Sequence, residues 1–251
     1  MKTSFLFSSI FISFLSVNAQ ILNIENYRIK TDTIGWSGKI GLSFSLTKNT
    51  KTLTNIGSNI HLQYKSKKNL YLILTNYNLL VSDNQDLINK AVIHLRHNYK
   101  LNKQLRSELF LQAQNNSISK IELRTLIGTG LRYKISKKES KKFYLGSSIM
   151  FEHEEIKDHL EPTSNLIRWS NYFSFSIYMD NHLSWIGTTY YQPAIKNFND
   201  FRMATQTSLT YSFSKKLAFN TKFSLNYDAI PVNGIPQTDY NLSSGIIYYI
   251  K

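Results

Sequence analysis

The chain contains no cysteine. That excludes a disulfide framework, a thiolate metal centre, a cysteine nucleophile and a lipidated N-terminal cysteine. Proline and glycine are sparse, at 4 and 10 in 251 residues. No stretch beyond the first twenty residues is apolar enough for a transmembrane helix, and a mean hydropathy of −0.28 is too polar for a helical membrane protein. No Gly-x-Ser-x-Gly elbow, His-Glu-x-x-His helix or recognisable Ser–His–Asp or Ser–His–Asn set occurs. The expectation is therefore a protein that is not an enzyme and carries no cofactor or metal.

What is present begins with an export signal. Lys2 supplies a positive start, Phe5 to Val17 an apolar stretch, and Val17-Asn18-Ala19 a small-residue cleavage site before Gln20. This is too short to span a bilayer as a helix and reads as a secretory signal. The expected organisation is a cleaved signal peptide at 1–19, a periplasmic lead at 20–33 and one domain at 34–251.

That domain carries a two-residue rhythm. Ile34, Trp36, Ile40, Leu42, Phe44 and Leu46 alternate with Gly35, Ser37, Lys39, Gly41, Ser43 and Ser45. Phe201, Met203, Leu209, Tyr211 and Phe213 alternate with Arg202, Gln206, Ser208 and Ser212. Alternation makes one strand face apolar and the other polar. Twelve such segments can be drawn, with cores at 34–47, 54–65, 70–81, 89–100, 105–114, 121–135, 143–154, 165–178, 183–192, 201–213, 217–228 and 239–250. Segment 70–81 is ambiguous, because Tyr71 to Leu74 offers apolar residues to both faces. A soluble β-sandwich would alternate too, but its core favours Val, Ile and Leu. Here Tyr and Phe number 16 and 15 and collect near strand ends, as in the interfacial girdles of membrane proteins. The prediction is an all-β fold: a single antiparallel transmembrane β-barrel of about twelve strands.

Connection lengths set an expected orientation. With both termini periplasmic, Lys65–Asn69, Leu101–Gln104, Met179–His182 and Ser214–Lys216 are short periplasmic turns, and Ser136–Lys142 a longer one. Glu155–Ser164, Pro193–Asp200 and Ala229–Thr238 are the longer outer loops. The last segment, with Leu242, Ile246, Tyr248 and Ile250 on one face, resembles a terminal strand read by barrel-assembly machinery. Lys251 departs from the usual terminal aromatic. The expected partners are that machinery and outer-membrane lipid. Without Lys2 the chain holds 29 basic and 16 acidic residues, a net +13. The lysines cluster in turns, at 65, 67, 68, 137, 138, 141, 142, 215 and 216. Solvated turns, with attraction to anionic head groups, explain this excess without a nucleic-acid partner.

Alternation places Lys39, Arg96, Arg106, Arg124, Arg132, Arg168, Arg202 and Lys222 inside the barrel. Glu108, Glu122, Glu152, Glu154 and Asp228 join them. Two readings follow. The charges pair across strands and fill the lumen, as side chains fill barrels of about eight strands. Alternatively they line a narrow passage with an anion bias. Gly128 and Gly130 on the same face relieve crowding by a neighbouring aromatic. Tyr190, Gln192, Asp200, Asp228 and Asp239 collect at the outer ends of the last four strands, where the expected role is loop anchoring and the alternative is recognition of a small polar solute. Histidines 61, 94, 97, 153, 159 and 182 are scattered, and His153 points away from Glu152 and Glu154.

Several pieces together carry a family resemblance: Glu25-Asn26-Tyr27-Arg28 with Thr31-Asp32-Thr33-Ile34-Gly35-Trp36; Arg124 to Tyr133; Arg168-Trp169-Ser170-Asn171-Tyr172; Tyr190-Tyr191-Gln192-Pro193 with Asp200-Phe201-Arg202; and Pro231, Gly234, Pro236, Thr238 and Asp239. In this order the chain resembles the family called domain of unknown function 481, also described as salt-induced outer-membrane proteins. The resemblance implies an outer-membrane barrel. It supplies no reaction and no ligand.

Overall fold

The computed structural model describes residues 34–48, 50–82, 85–136, 138, 140–157, 163–180, 182–214 and 217–248. The signal peptide, the lead at 20–33, Lys137, Lys215, Lys216, His159, Ile250 and Lys251 lie outside them.

The alternating segments form twelve strands: β1 (Gly35–Lys48), β2 (Thr52–Lys65), β3 (Asn69–Ser82), β4 (Gln85–Lys100), β5 (Leu105–Asn116), β6 (Ile121–Lys134), β7 (Lys141–Ile156), β8 (Ser164–Met179), β9 (Leu183–Ala194), β10 (Asn197–Ser212), β11 (Leu217–Asp228) and β12 (Thr238–Tyr248). Each pairs antiparallel with the next, in one sheet of order β1 to β12. The fold is a twelve-stranded antiparallel β-barrel sheet. The even connections, β2–β3 through β10–β11, lie at one end, called here the turn end. The odd connections lie at the loop end. The long β11–β12 connection stands as expected, at residues 229–237.

Pro193–Asp200 corrects the expectation of a third long loop. β9 runs through Pro193 to Ala194, and β10 resumes at Asn197, so the connection is two residues. The extra length is taken up inside β10. Asn197 pairs with Ala194 but Phe201 with Pro193, leaving a bulge at residues 198–200. A bulge bends a strand and re-aims its side chains, and this one turns Asp200 toward the interior ion pairs described below.

The molecule is inverted relative to a soluble protein. Arg124, Arg132 and Arg168 are 1–2 % exposed, whereas Leu209 is 45 % exposed. Charges are inside and apolar side chains outside because the outer face meets hydrocarbon. The ambiguous third strand follows the same rule by register. Leu72 and Leu74 point inward and are buried, while Tyr71 and Tyr77 are exposed. Aromatic side chains form girdles on the outer surface. Trp36, Tyr64, Tyr71 and His97 make a continuous ladder toward the turn end, with centroids 5.2, 6.4 and 4.6 Å apart. Tyr191, Phe201 and Tyr227 make another at the loop end, each 5.5 Å from the next. Rings with a polar edge suit the interface between hydrocarbon and water.

Inward glycines make room for large side chains. A Cβ on Gly128 would lie 2.3 Å from the Phe110 ring, and one on Gly146 would lie 2.0 Å from Tyr172. Gly128 thus relieves crowding by an aromatic, as its inward position suggests. Gly130 yields to backbone and Ser148 rather than to a ring. The sheet curls until distant strands meet. Tyr172 on β8 donates to Glu108 on β5, and Lys120 Nζ donates across to Asn233 O in the β11–β12 loop at 2.9 Å. Among the described residues no ladder joins β1 to β12.

Candidate functional site

The inward face holds two groups of charges at different depths. Strand register builds the first, at the loop end. Arg124 faces Glu154 across the β6–β7 ladder, and their side chains are ion-paired. Arg202 faces Asp228 across the β10–β11 ladder, with Nε donating to Asp228 Oδ2 at 2.8 Å. The rest of the Arg202 guanidinium reaches three strands away. Nη1 donates to Glu152 Oε2 at 2.7 Å, and Nη2 lies 3.3 Å from Glu154 Oε1. Arg168 on β8 completes the group. Its Nε donates to Glu152 Oε1 at 3.0 Å, and its Nη1 pairs with Asp200 Oδ1 at 2.9 Å. The same Nη1 donates to the backbone carbonyls of Gln192 and Asp200.

Three guanidiniums therefore meet four carboxylates, and all seven residues but the partly covered Asp200 are buried. Each arginine presents a planar fork with several donors, so one guanidinium serves carboxylates on several strands. Taking such groups out of water costs several kcal/mol per ion, about 3–5 kcal/mol of which is exposed when one partner is deleted. The group holds together only because every charge in it has a counter-charge.

The second group lies toward the turn end. Arg96 Nη1 donates to Glu108 Oε2 at 3.3 Å. The Tyr172 hydroxyl donates to the same oxygen at 2.7 Å and accepts from Arg132 Nη1 at 3.3 Å. The Arg132 guanidinium also lies over the Tyr144 ring, 3.8 Å from its centroid, a favourable placement for a cation. Between the two groups sits an apolar layer of Phe110, Leu126 and Met150.

The remaining wall differs. β11, β12, β1 and β2 present Asn220, Ser224, Asn226, Asn241, Ser243, Ser43, Asn59 and His61 inward. Lys39 and Lys222 are its inward cations, and Lys90 faces inward from β4. Lys90 Nζ has no hydrogen-bond partner among the described residues, though it feels the charge of Asp239 on β12. Lys222 is in no ion pair among them.

Of the residues singled out in the sequence, Arg124, Glu152, Arg168, Arg202, Asp200 and Asp228 come together, and Glu108 and Arg132 join through Tyr172. Asp200 and Asp228 each pair with an arginine inside the lumen. Asp239 accepts from Asn226 at 2.9 Å. Gln192 donates to Ser170 at 2.8 Å, and Tyr190 packs on Tyr172 with centroids 5.2 Å apart. Tyr190 and Gln192 are thus lumen residues rather than loop clamps. Arg106 is half-buried at the start of β5, outside both groups. Glu122 corrects the expectation. It falls where the β6 register shifts between Ile121 and Leu123, and it is exposed. The bulge breaks the alternation that had placed it inside. Tyr172 is the residue that charge-based reading misses. Its even position on β8 shared the inward face of Arg168, but an inward tyrosine reads as filler until the register shows Glu108 and Arg132 beside it.

These features define the class first: an antiparallel barrel with an apolar exterior and a charged lumen. Comparison with one solved structure agrees at the level of fold. The NanC porin superposes with a TM-score of 0.52 at 9 % identity, over 84 % of this chain and 99 % of that one. The KdgM porin, in complex with disordered oligogalacturonate, aligns with a TM-score of 0.44 at 8 % identity, over 80 % and 97 %. No curated protein sequence matches significantly. Residues 40–250 match the family model described as "Protein of unknown function, DUF481", and the chain belongs to that family.

Proposed function

We propose that this protein is an outer-membrane barrel whose lumen is filled by its own charged and polar side chains, with a structural or envelope-stress role rather than general diffusion. The carrying observation is Arg202. From β10 it holds Glu152 and Glu154 on β7 and Asp228 on β11 at once. A side chain that spans that width leaves no open cross-section between those strands. In this reading the signal sequence exports the chain, the assembly machinery recognises its final strand, and the turn end faces the periplasm. The apolar outer face contacts lipid, and no catalytic step is assigned.

A second reading, a narrow passive passage for small polar or anionic solutes, draws on a separate observation. Lys39, Lys90 and Lys222 all face inward outside the ion-paired groups. Basic side chains in a low-dielectric wall raise the local anion concentration, and the NanC barrel bears the name porin. Wild-type conductance in planar bilayers separates the two. A filled lumen gives traces near baseline. A narrow passage gives small, anion-selective steps that shift toward cations in Lys222→Glu. Large steps with clear cation selectivity would contradict both.

A further inference from the structure

The two sheet edges point to each other as partners. Among the described residues, β1 and β12 each present an unpaired row of backbone donors and acceptors. Hydrocarbon does not tolerate such an edge, because no water is there to satisfy it. The outward side chains on these strands are also under-covered. Leu42 is 79 % and Leu242 65 % exposed, against 48 % for Ile149 in mid-sheet. Each lacks a neighbour on one side.

We infer that β12 pairs with β1 of the same chain in one register, Lys48 opposite Thr238. Three constraints lead there. First, eleven antiparallel ladders separate the strands, so β12 runs antiparallel to β1. Second, both strands turn their odd residues inward. Lys39 sits beside His61, and Asp239 beside Asn226. A one-residue slip would turn one strand's polar face to lipid. Third, Lys48 and Thr238 are the loop-end termini of their strands. Pairing them leaves the ends flush and engages every residue of β12.

The resulting pairs are coherent on both faces. Outward, Leu46 meets Tyr240, Phe44 meets Leu242 and Ile40 meets Ile246. Inward, Thr47 meets Asp239, Ser45 meets Asn241, Ser43 meets Ser243 and Gly41 meets Gly245. The curl of the sheet favours this partner over a second copy of the chain. Lys90 on β4 lies within electrostatic reach of Asp239 on β12, and Lys120 reaches Asn233 in the loop before it. The Lys120–Asn233 hydrogen bond draws the loop before β12 back toward the β5–β6 connection instead of leaving that edge turned outward.

Because the chain has no cysteine, introduced pairs report the seam without interference. The test forms Ser43→Cys/Ser243→Cys and Ser45→Cys/Asn241→Cys in the full chain, folded in lipid vesicles and oxidised. The controls are Ser43→Cys/Asn241→Cys and Ser43→Cys/Gly245→Cys, which mark two-residue slips. A slip of two residues moves the Cα atoms about 6.6 Å along the strand, to a separation of about 8 Å, beyond disulfide reach. Heat-modifiable migration of each reduced variant establishes that it folds. The expected result is an intramolecular crosslink in at least one of the first two pairs and in neither control. Preferential crosslinking of a control would overturn the register. Crosslinked dimers, or no crosslink in any folded variant, would overturn the intrachain seam.

Discussion

Two walls of one barrel share the same alternation and use it differently. From β4 to β10 the inward positions carry large groups that interlock: Arg96, Glu108, Phe110, Arg124, Arg132, Met150, Glu152, Arg168, Tyr172 and Arg202, all buried. From β11 through β12 and β1 to β2 they carry mostly Ser, Asn, Gly and isolated lysines, much of it accessible. The glycines show the contrast at single-atom scale. A Cβ on Gly146 would strike the Tyr172 ring, whereas one on Gly41 meets only Asn59, at 3.9 Å. Period-two patterning builds a barrel wall. What stands at its inward positions decides whether the lumen beside it is filled.

The sharpest way to break this contrast is to delete one cation from each wall. Arg202→Ala strands Asp228 and takes one of two counter-charges from Glu152 and from Glu154, and should cost about 3–5 kcal/mol. Lys222→Ala removes a cation with no carboxylate to strand, and should be neutral or stabilising. Urea unfolding in vesicles reads both, and equal losses would dissolve the distinction between the walls. Inside against outside comes next. Leu209→Arg places a charge in lipid and should cost about 2–4 kcal/mol near the midplane. Ser208→Arg, one residue away and facing the lumen, should be far better tolerated. The reverse order would mean the faces of β10 are assigned wrongly. The smallest effect belongs to the glycines. Gly146→Ala overpacks the Tyr172 ring and should cost about 1–3 kcal/mol, while Gly41→Ala should stay within about 0.5 kcal/mol. A Gly41→Ala loss as large as that at Gly146 would show that the β1 wall is packed after all.

Much of this was legible in the sequence because alternation is a local property. Each expected segment corresponds to a strand, and the inward charges follow from parity alone. Arg124, Arg168, Arg202, Glu152 and Asp228 needed no neighbour to be placed. The exceptions arise where parity is interrupted. The bulge at Ile121–Leu123 put Glu122 outside, and the bulge at 198–200 turned a presumed loop into strand. Partner choice is less legible still, because it depends on register between strands distant in sequence. Arg124 finds Glu154 rather than Glu122, and Arg132 reaches Glu108 only through the Tyr172 hydroxyl. Tyr190 and Gln192 illustrate a further limit. Their nearness to Pro193 suggested loop anchoring, but β9 extends past the proline and carries both into the lumen wall.

The central claim is that paired charges plug the packed half of the lumen. Single-channel conductance of the wild type and of an Arg202→Ser/Glu152→Ser variant, recorded side by side in planar bilayers, tests it most directly. The double change removes the bridge between β7 and β10 together with one of its counter-charges. The account predicts a wild type near baseline and a clear rise in conductance in the variant. A wild type that already conducts strongly, with no change on removing Arg202 and Glu152, would contradict it.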